Sequence, residues 1–339
     1  MALVLSSEYI TPADLTGYVR EALADLPQNV FGLSAFLPNI TVDDIDFRVS
    51  TGGGGLSRAA SFRSFDTESP IGKRHGIERI AGSLPPISEK LRLGEYDRLK
   101  LRKLDSGIKD ALFNDAVNLA KAIQTRLEIA RGEALMDGKV TLAENGLALE
   151  VDYGRKASHT VTAGVFWGAG GDPVADFLAW QAVYVATNGV RPGATLASQD
   201  VLSALMRNAK IREYTLPAGS TQQIVTVDAI NALFRSFGLP AIEVYEAQVE
   251  GAGGVAQSVI DPKKILFLPP AGSKLGETLW GVTAEALDAD YGIDATDAPG
   301  IVVGSYSDKD PVGLWTKASA IALPVVPNTN LTLAAKVLA

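Results

Sequence analysis

Four consecutive glycines, Gly52, Gly53, Gly54 and Gly55, raise the first chemical question. A glycine-rich loop can cradle a phosphate on its backbone N–H groups. That requires a preceding strand, a Gly-Lys-Ser/Thr ending that supplies a lysine, and a following helix. Here Leu56-Ser57 follows and residues 58–65 read as extended, so the pattern is not that of a nucleotide site. The two histidines, His75 and His159, stand in polar surroundings with no second histidine at ligand spacing. That predicts solvated loop residues and no metal centre. Asp288, Asp290, Asp294 and Asp297 crowd into "DADYGIDATDAPG". The glycine and terminal glutamate of a twelve-residue calcium loop are missing, which predicts a solvated turn. There is no Gly-x-Ser-x-Gly elbow and no cysteine. Trp167, Trp180, Trp280 and Trp315 are too dispersed for a base-stacking platform and are expected in cores or interfaces. The expectation is a chain with no catalytic residue, no metal and no cofactor.

The bulk properties agree. At 339 residues the chain exceeds the roughly 250–300 at which one core stops growing, which predicts two or more domains. It is 47% hydrophobic and 21% charged, with net charge −8, a pI near 5.0 and mean hydropathy +0.13. That balance argues against a surface that grips nucleic acid throughout. The opening "MALVLSSEYITP" lacks the regions of a signal peptide, and no stretch approaches the ~20 apolar residues of a membrane span. A soluble protein made in a reducing cytoplasm is expected.

Around the glycines the chain keeps strand-like alternation, with Phe47, Val49, Phe62 and Phe65 spaced by polar residues. From Arg48 to Arg79 there are six Lys/Arg against three Asp/Glu, a basic stretch in an acidic chain. Such a ribbon buries little of itself. Before it, Thr11 and Pro12 mark the start of a helix that stops before Pro27. After it comes a long amphipathic helix over 106–138, with Ile108, Leu112, Ala116, Leu119, Ile123, Leu127, Ala130 and Ala134 on one stripe. At 1.5 Å per residue that is a rod about 45 Å long. Asn145-Gly146 then signals a hairpin, and Leu119, Ile123 and Leu127 are expected to face its Leu147 and Leu149. From Asp172 the texture is mixed α/β, with a helix capped by Asp172-Pro173, another after Ser198 and a third ending at Gly238. The last stretch is strand-rich, with Pro324 and Pro327 expected to keep it from a central strand position.

Two stretches carry a resemblance: "ARGEALMDGKVTLAENGLALEVDYGR", Ala130 to Arg155, and the ending from "DPVGLWTKASA" to "VLA". With the order of elements, they resemble the tailed-bacteriophage major capsid proteins, specifically the lambda-type major capsid protein E family. The resemblance implies an α+β, Hong Kong 97-like capsid fold. Residues 1–45 would be the N-terminal arm and 46–85 the extended β loop. Residues 86–171 and 306–339 would form the peripheral domain, with spine helix 106–138, and 172–305 the axial domain.

It also implies a non-enzymatic structural protein that self-assembles as hexamers and pentamers into the icosahedral head. Scaffold, portal and decoration proteins would be its partners, the host cytoplasm its site of assembly and the virion capsid its destination. DNA would be enclosed without sequence-specific binding. An encapsulin-type nanocompartment shell shares the fold, and a soluble two-domain α/β enzyme is the rival of a different class. The extended loop would cross a neighbouring copy, with Gly52 to Gly55 at its turn. Its Arg58, Arg63, Lys73 and Arg74 would meet acids on the exposed face of the spine helix, for which Asp110, Asp115 and Glu128 are candidates. Some relatives crosslink lysine to asparagine; Lys73 with Asn328 or Asn330 would be the pair, but that chemistry is not expected here.

Overall fold

A computed structural model describes residues 4–25, 31–51, 63, 65, 67–68, 78–101, 106–217, 219–251 and 254–339. The chain begins β1 (Val4–Leu5), α1 (Pro12–Asp25), β2 (Asn39–Thr41), β3 (Asp46–Thr51), β4 (Glu78–Ser83), β5 (Pro86–Leu93) and α2 (Glu95–Leu101). It continues through α3 (Gly107–Asp137), β6 (Lys139–Glu144), β7 (Leu147–Asp152), β8 (Thr160–Thr162), α4 (Pro173–Asn188) and β9 (Ala194–Ala197). Then come α5 (Gln199–Arg207), α6 (Ala209–Thr215), α7 (Val227–Ser236), β10 (Ala241–Val244), β11 (Gln248–Glu250) and β12 (Ala256–Ser258). The chain closes with β13 (Lys264–Leu268), β14 (Glu277–Gly281), β15 (Val302–Lys309), β16 (Val312–Val325) and β17 (Leu333–Lys336). These elements form two compact units. One comprises residues 1–47, 81–131 and 277–325, the other 48–80, 132–276 and 326–339.

The local signals work as the side chains dictate. Thr11 Oγ1 accepts from the Asp14 backbone N–H at 3.2 Å and donates to its carboxylate at 2.6 Å, fixing the start of α1. Asp172 caps α4 by accepting from Val174 N–H at 3.0 Å and Ala175 N–H at 3.2 Å. Asn145 and Gly146 take φ of 48° and 85°, as a two-residue hairpin turn requires, and register Val140 with Val151. α3 is 31 residues long and stops at Gly138, whose φ is +72°.

In the first unit β16 is the hub of a six-stranded sheet. It pairs antiparallel with β15 over 312–319, with β5 over 314–321 and with β14 over 321–325. β2 joins β14 in parallel, and β1 joins β15. The expectation for Pro324 fails: its strand is central. The β5 ladder ends at Ile321, so the missing N–H interrupts no pairing on that edge. β14 was expected within an axial segment; its hydrogen bonds to β16 place it in this sheet instead. Ala318, Ala320 and Ala322 line one face with Val303 and Trp280. Against them pack Leu15 and Val19 of α1 and Ala116, Leu119, Ile123 and Leu127 of α3. That corrects the expected partner of Leu119, Ile123 and Leu127. Alanines on the strand leave room for large helix side chains, whereas Leu147 of the hairpin is 37% exposed.

The second unit has a mixed sheet in the order β10-β9-β13-β17-β8, with β9–β10 and β8–β17 parallel. β17 brings the C-terminal chain into this sheet beside β13. Phe177 of α4 centres the core, with ring centroids 4.7 Å from Phe234, 5.2 Å from Phe267 and 5.7 Å from Trp167. His159 is a correction: the side chain is fully buried, not solvated. Its Nδ1 bonds the Thr332 carbonyl at 2.9 Å and its ring faces Tyr184. Burial holds its pKa below the ordinary histidine value, helped by Lys156 and Arg155 and partly offset by the Thr332 bond.

Candidate functional site

The candidate assembly element is the stretch 46–85 expected as an extended loop, whose described ends pair as the two-stranded sheet β3–β4. Phe47 anchors it, 4% exposed, and Ser83 Oγ donates to Asp46 at 2.6 Å. Gly52, Gly53, Gly54, Gly55, Arg58, Lys73 and Arg74 lie outside the described residues, as does His75. Arg63 is exposed and donates from Nη1 to the Thr67 carbonyl at 2.7 Å. Phe65 beside it is 97% exposed, which leaves a whole aromatic ring in water.

The three candidate acids on α3 differ in environment. Asp110 is exposed in the first turn and accepts from Ser106 Oγ at 2.7 Å. Asp115 is half-buried, and that burial raises its pKa. Glu128 is not on an exposed face: it is 1% exposed and already engaged. Its Oε2 accepts from Arg131 Nη1 at 2.9 Å, and its Oε1 from the N–H groups of Gly32 at 3.1 Å and Leu33 at 2.9 Å. Arg131 also donates from Nε to Thr278 Oγ1 at 3.0 Å and from Nη2 to Asn39 Oδ1 at 2.6 Å. A buried carboxylate needs such partners, so Glu128 holds chain segments together and is not an acid offered to a neighbour. Sequence reasoning missed Arg131, Asn39 and Thr278 because 92 and 147 residues separate the arginine from its two partners. The one local trace is the Glu-x-x-Arg spacing beside the apolar stripe.

The "ARGEALMDGKVTLAENGLALEVDYGR" stretch has a concrete structural content. A Cβ on Gly132 would collide with the Val259 carbonyl oxygen, so only glycine allows that approach. Arg155 Nη1 donates to the Met136 carbonyl at 2.8 Å and Nη2 to that of Leu135, which caps the negative end of α3 with a cation. Burial lowers the Arg155 pKa to about 10, offset in part by Asp137 and Asp152. Tyr153, buried, accepts from Thr329 Oγ1 on its carbonyl at 2.9 Å.

A cleft of about 490 Å³ is lined by Trp167, Asp200, Ser203, Arg207 and Asn208. Its most buried polar group is committed: Asn208 Nδ2 donates to the Trp167 and Gly171 carbonyls and Oδ1 caps α6. Among the described residues there is no group of three or more His, Cys, Asp or Glu able to hold a metal ion, and no helix is long and apolar enough to cross a membrane. Asp288, Asp290, Asp294 and Asp297 are exposed on two short 3₁₀ turns.

Two solved structures share the fold across their whole length. One, from a prophage of E. coli CFT073 and assigned as its capsid protein, has a TM-score of 0.64 at 14% identity, covering 97% of this chain and 99% of that one. The other, a phage-related protein from Bordetella bronchiseptica RB50, has a TM-score of 0.59 at 16% identity, covering 99% and 98%. No curated protein matches by sequence. The α+β fold is that of the Hong Kong 97-like phage capsid proteins. The family model for phage major capsid protein E matches residues 11–337, so this chain belongs to that family of shell-forming capsid proteins.

Proposed function

We propose that the chain builds an icosahedral phage head as hexamers and pentamers, with the 46–85 ribbon lying across a neighbouring copy. The observation that carries this reading is Phe65, 97% exposed on a basic ribbon of a chain with net charge −8. Leaving a phenylalanine ring in water costs about 1.5–3 kcal/mol relative to burial, and a second subunit removes that cost. The ribbon's cations would meet carboxylates there, with Asp110 and the half-buried Asp115 the remaining candidates on α3. The expected division into arm, ribbon, peripheral and axial parts is modified in this reading: 277–305 shares a unit with 81–131 and 306–325, whereas 132–171 and 326–339 share one with 172–276.

The role is structural, not enzymatic. Assembly would take place in the host cytoplasm with a scaffold, a portal and optional decoration proteins as partners. Packaged DNA is enclosed without sequence-specific contact, which the acidic balance favours. Size-exclusion chromatography and negative-stain imaging of the purified full chain test this. Megadalton shells or capsomers are expected, and a small oligomer of fixed mass would refute it. Shells lacking DNA when produced with the phage packaging machinery would favour a nanocompartment instead.

A further inference from the structure

The sheet of the first unit has two faces, covered unequally. α1 and α3 close the face of Ala318 and Ala320. On the opposite face, strand alternation aligns Trp315, Lys317 and Ser319 of β16 with Tyr306, Gly304 and Val302 of β15 and with Arg92, Lys90 and Ser88 of β5. The β15 half of that face is closed by the acidic segment. Ala286, Tyr291 and Ala298 pack on Val302, and Glu285 accepts from Lys317 Nζ at 2.6 Å and Ser319 Oγ at 2.9 Å. On the β5 half, Ser88, Lys90 and Arg92 are exposed. Lys90 and Arg92 lie 4.6 and 5.7 Å from the ring centroid of half-buried Trp315. The closing segment carries the opposite charge, with Asp288, Asp290 and Asp294 exposed and Leu287 77% exposed at its start, while Asp297 lies beside Arg20 of α1.

We propose that this face is an interface between two copies of the chain, in which the acidic segment of each covers the basic, Trp315-bearing half of the other. The proposal rests on the shell-forming reading above. A two-fold axis lying in the contact plane exchanges the halves, so a face that is acidic on one side and basic on the other complements itself. Each contact then holds two sets of opposite charges, which set register and exclude like-charged arrangements. Trp315 already orders both cations, so little side-chain freedom remains to be lost on contact, and Leu287 supplies an apolar partner for the ring. A nucleic acid fits less well, because the aspartates on the same face repel a phosphate backbone that reaches Lys90 and Arg92.

The test uses two charge-reversed full-length chains, K90E/R92E and D290K/D294K, at low salt, each alone and mixed one to one. Alone, each should lose at least ten-fold in shell yield, since K90E/R92E sets carboxylates against the acidic segment and D290K/D294K sets two lysines against Lys90 and Arg92. Mixed, they should recover shells, because the unlike pair is complementary on both halves. Wild-type yield from either reversed chain alone would overturn the proposal, as would a mixture no better than its components. If a reversed chain melts early, K90Q/R92Q and D290N/D294N replace the pair. Each should raise the protein concentration at assembly onset several-fold, and an unchanged onset overturns the contact. K90E/R92E shells of normal yield that retain less random-sequence duplex would assign the face to nucleic acid and end the proposal. A wild-type chain that forms no shells counts against the shell reading alone. Light scattering of the mixture then still reads the contact, as a dimer if it exists and as monomers if it does not.

Discussion

Arg131→Met removes one side chain that holds three others. Arg131 donates to Glu128, Thr278 and Asn39, and its loss removes the guanidinium 2.9 Å from the Glu128 carboxylate, which is 1% exposed. Removing one partner of a buried pair costs about 3–5 kcal/mol, because the remaining charge stays out of water without its counterion. Against a total stability of about 5–15 kcal/mol for a typical domain, that is a large share. Glu128→Gln keeps an acceptor for the Gly32 and Leu33 N–H groups but turns an amide NH2 toward the Arg131 donor and leaves that buried guanidinium without its carboxylate, so it too should cost about 3–5 kcal/mol. The double variant should be more stable than the sum of the two losses implies, by at least about 1 kcal/mol, since glutamine leaves no buried charge behind. Urea unfolding of unassembled subunits, followed by circular dichroism and by the fluorescence of buried Trp280 in the same unit, measures all three. An Arg131→Met loss below about 1 kcal/mol, or strict additivity, would refute the reasoning.

Three further outcomes follow from single positions or small groups. Gly138→Ala forces a side chain into φ +72° and places its Cβ 2.9 Å from that of Arg155. A loss of about 1–2 kcal/mol in thermal or urea unfolding is expected, and a loss under about 0.5 would show that the helix end relaxes freely. For His159 the folded pKa lies below the unfolded value of about 6.5, so the unfolded chain binds the extra proton first and stability falls as pH drops below about 6.5. His159→Gln should flatten that slope between pH 7 and 5, and identical slopes in the two proteins would remove His159 from the acid response. Arg58→Glu with Arg63→Glu should leave a folded, soluble subunit that forms shells only at high salt, since exposed pairs of about 0–1 kcal/mol each matter through repetition. Normal shells at low salt would make the ribbon's charge incidental.

What the sequence determined by itself is local in origin. The caps at Thr11 and Asp172, the 106–138 helix with its stop at Gly138, and the Asn145-Gly146 turn all depend on neighbouring residues, and all are present. The basic composition of residues 48–79 and the family resemblance were legible for the same reason, because composition and short motifs need no long-range contact to be read. The tertiary structure alone decided which partner each face meets. A helix stripe states that Leu119, Ile123 and Leu127 are buried, but periodicity is blind to what covers them, and the cover is a row of alanines some 200 residues away. Glu128 shows the same limit more sharply. Its charge and spacing resemble those of any surface acid, and only the approach of Arg131, with Asn39 and Thr278 behind it, makes burial affordable. His159 is buried because β17, from the far end of the chain, brings the Thr332 carbonyl to its ring. Pro324 sits in a central strand because the β5 ladder stops three residues short, a matter of register between strands more than 200 residues apart.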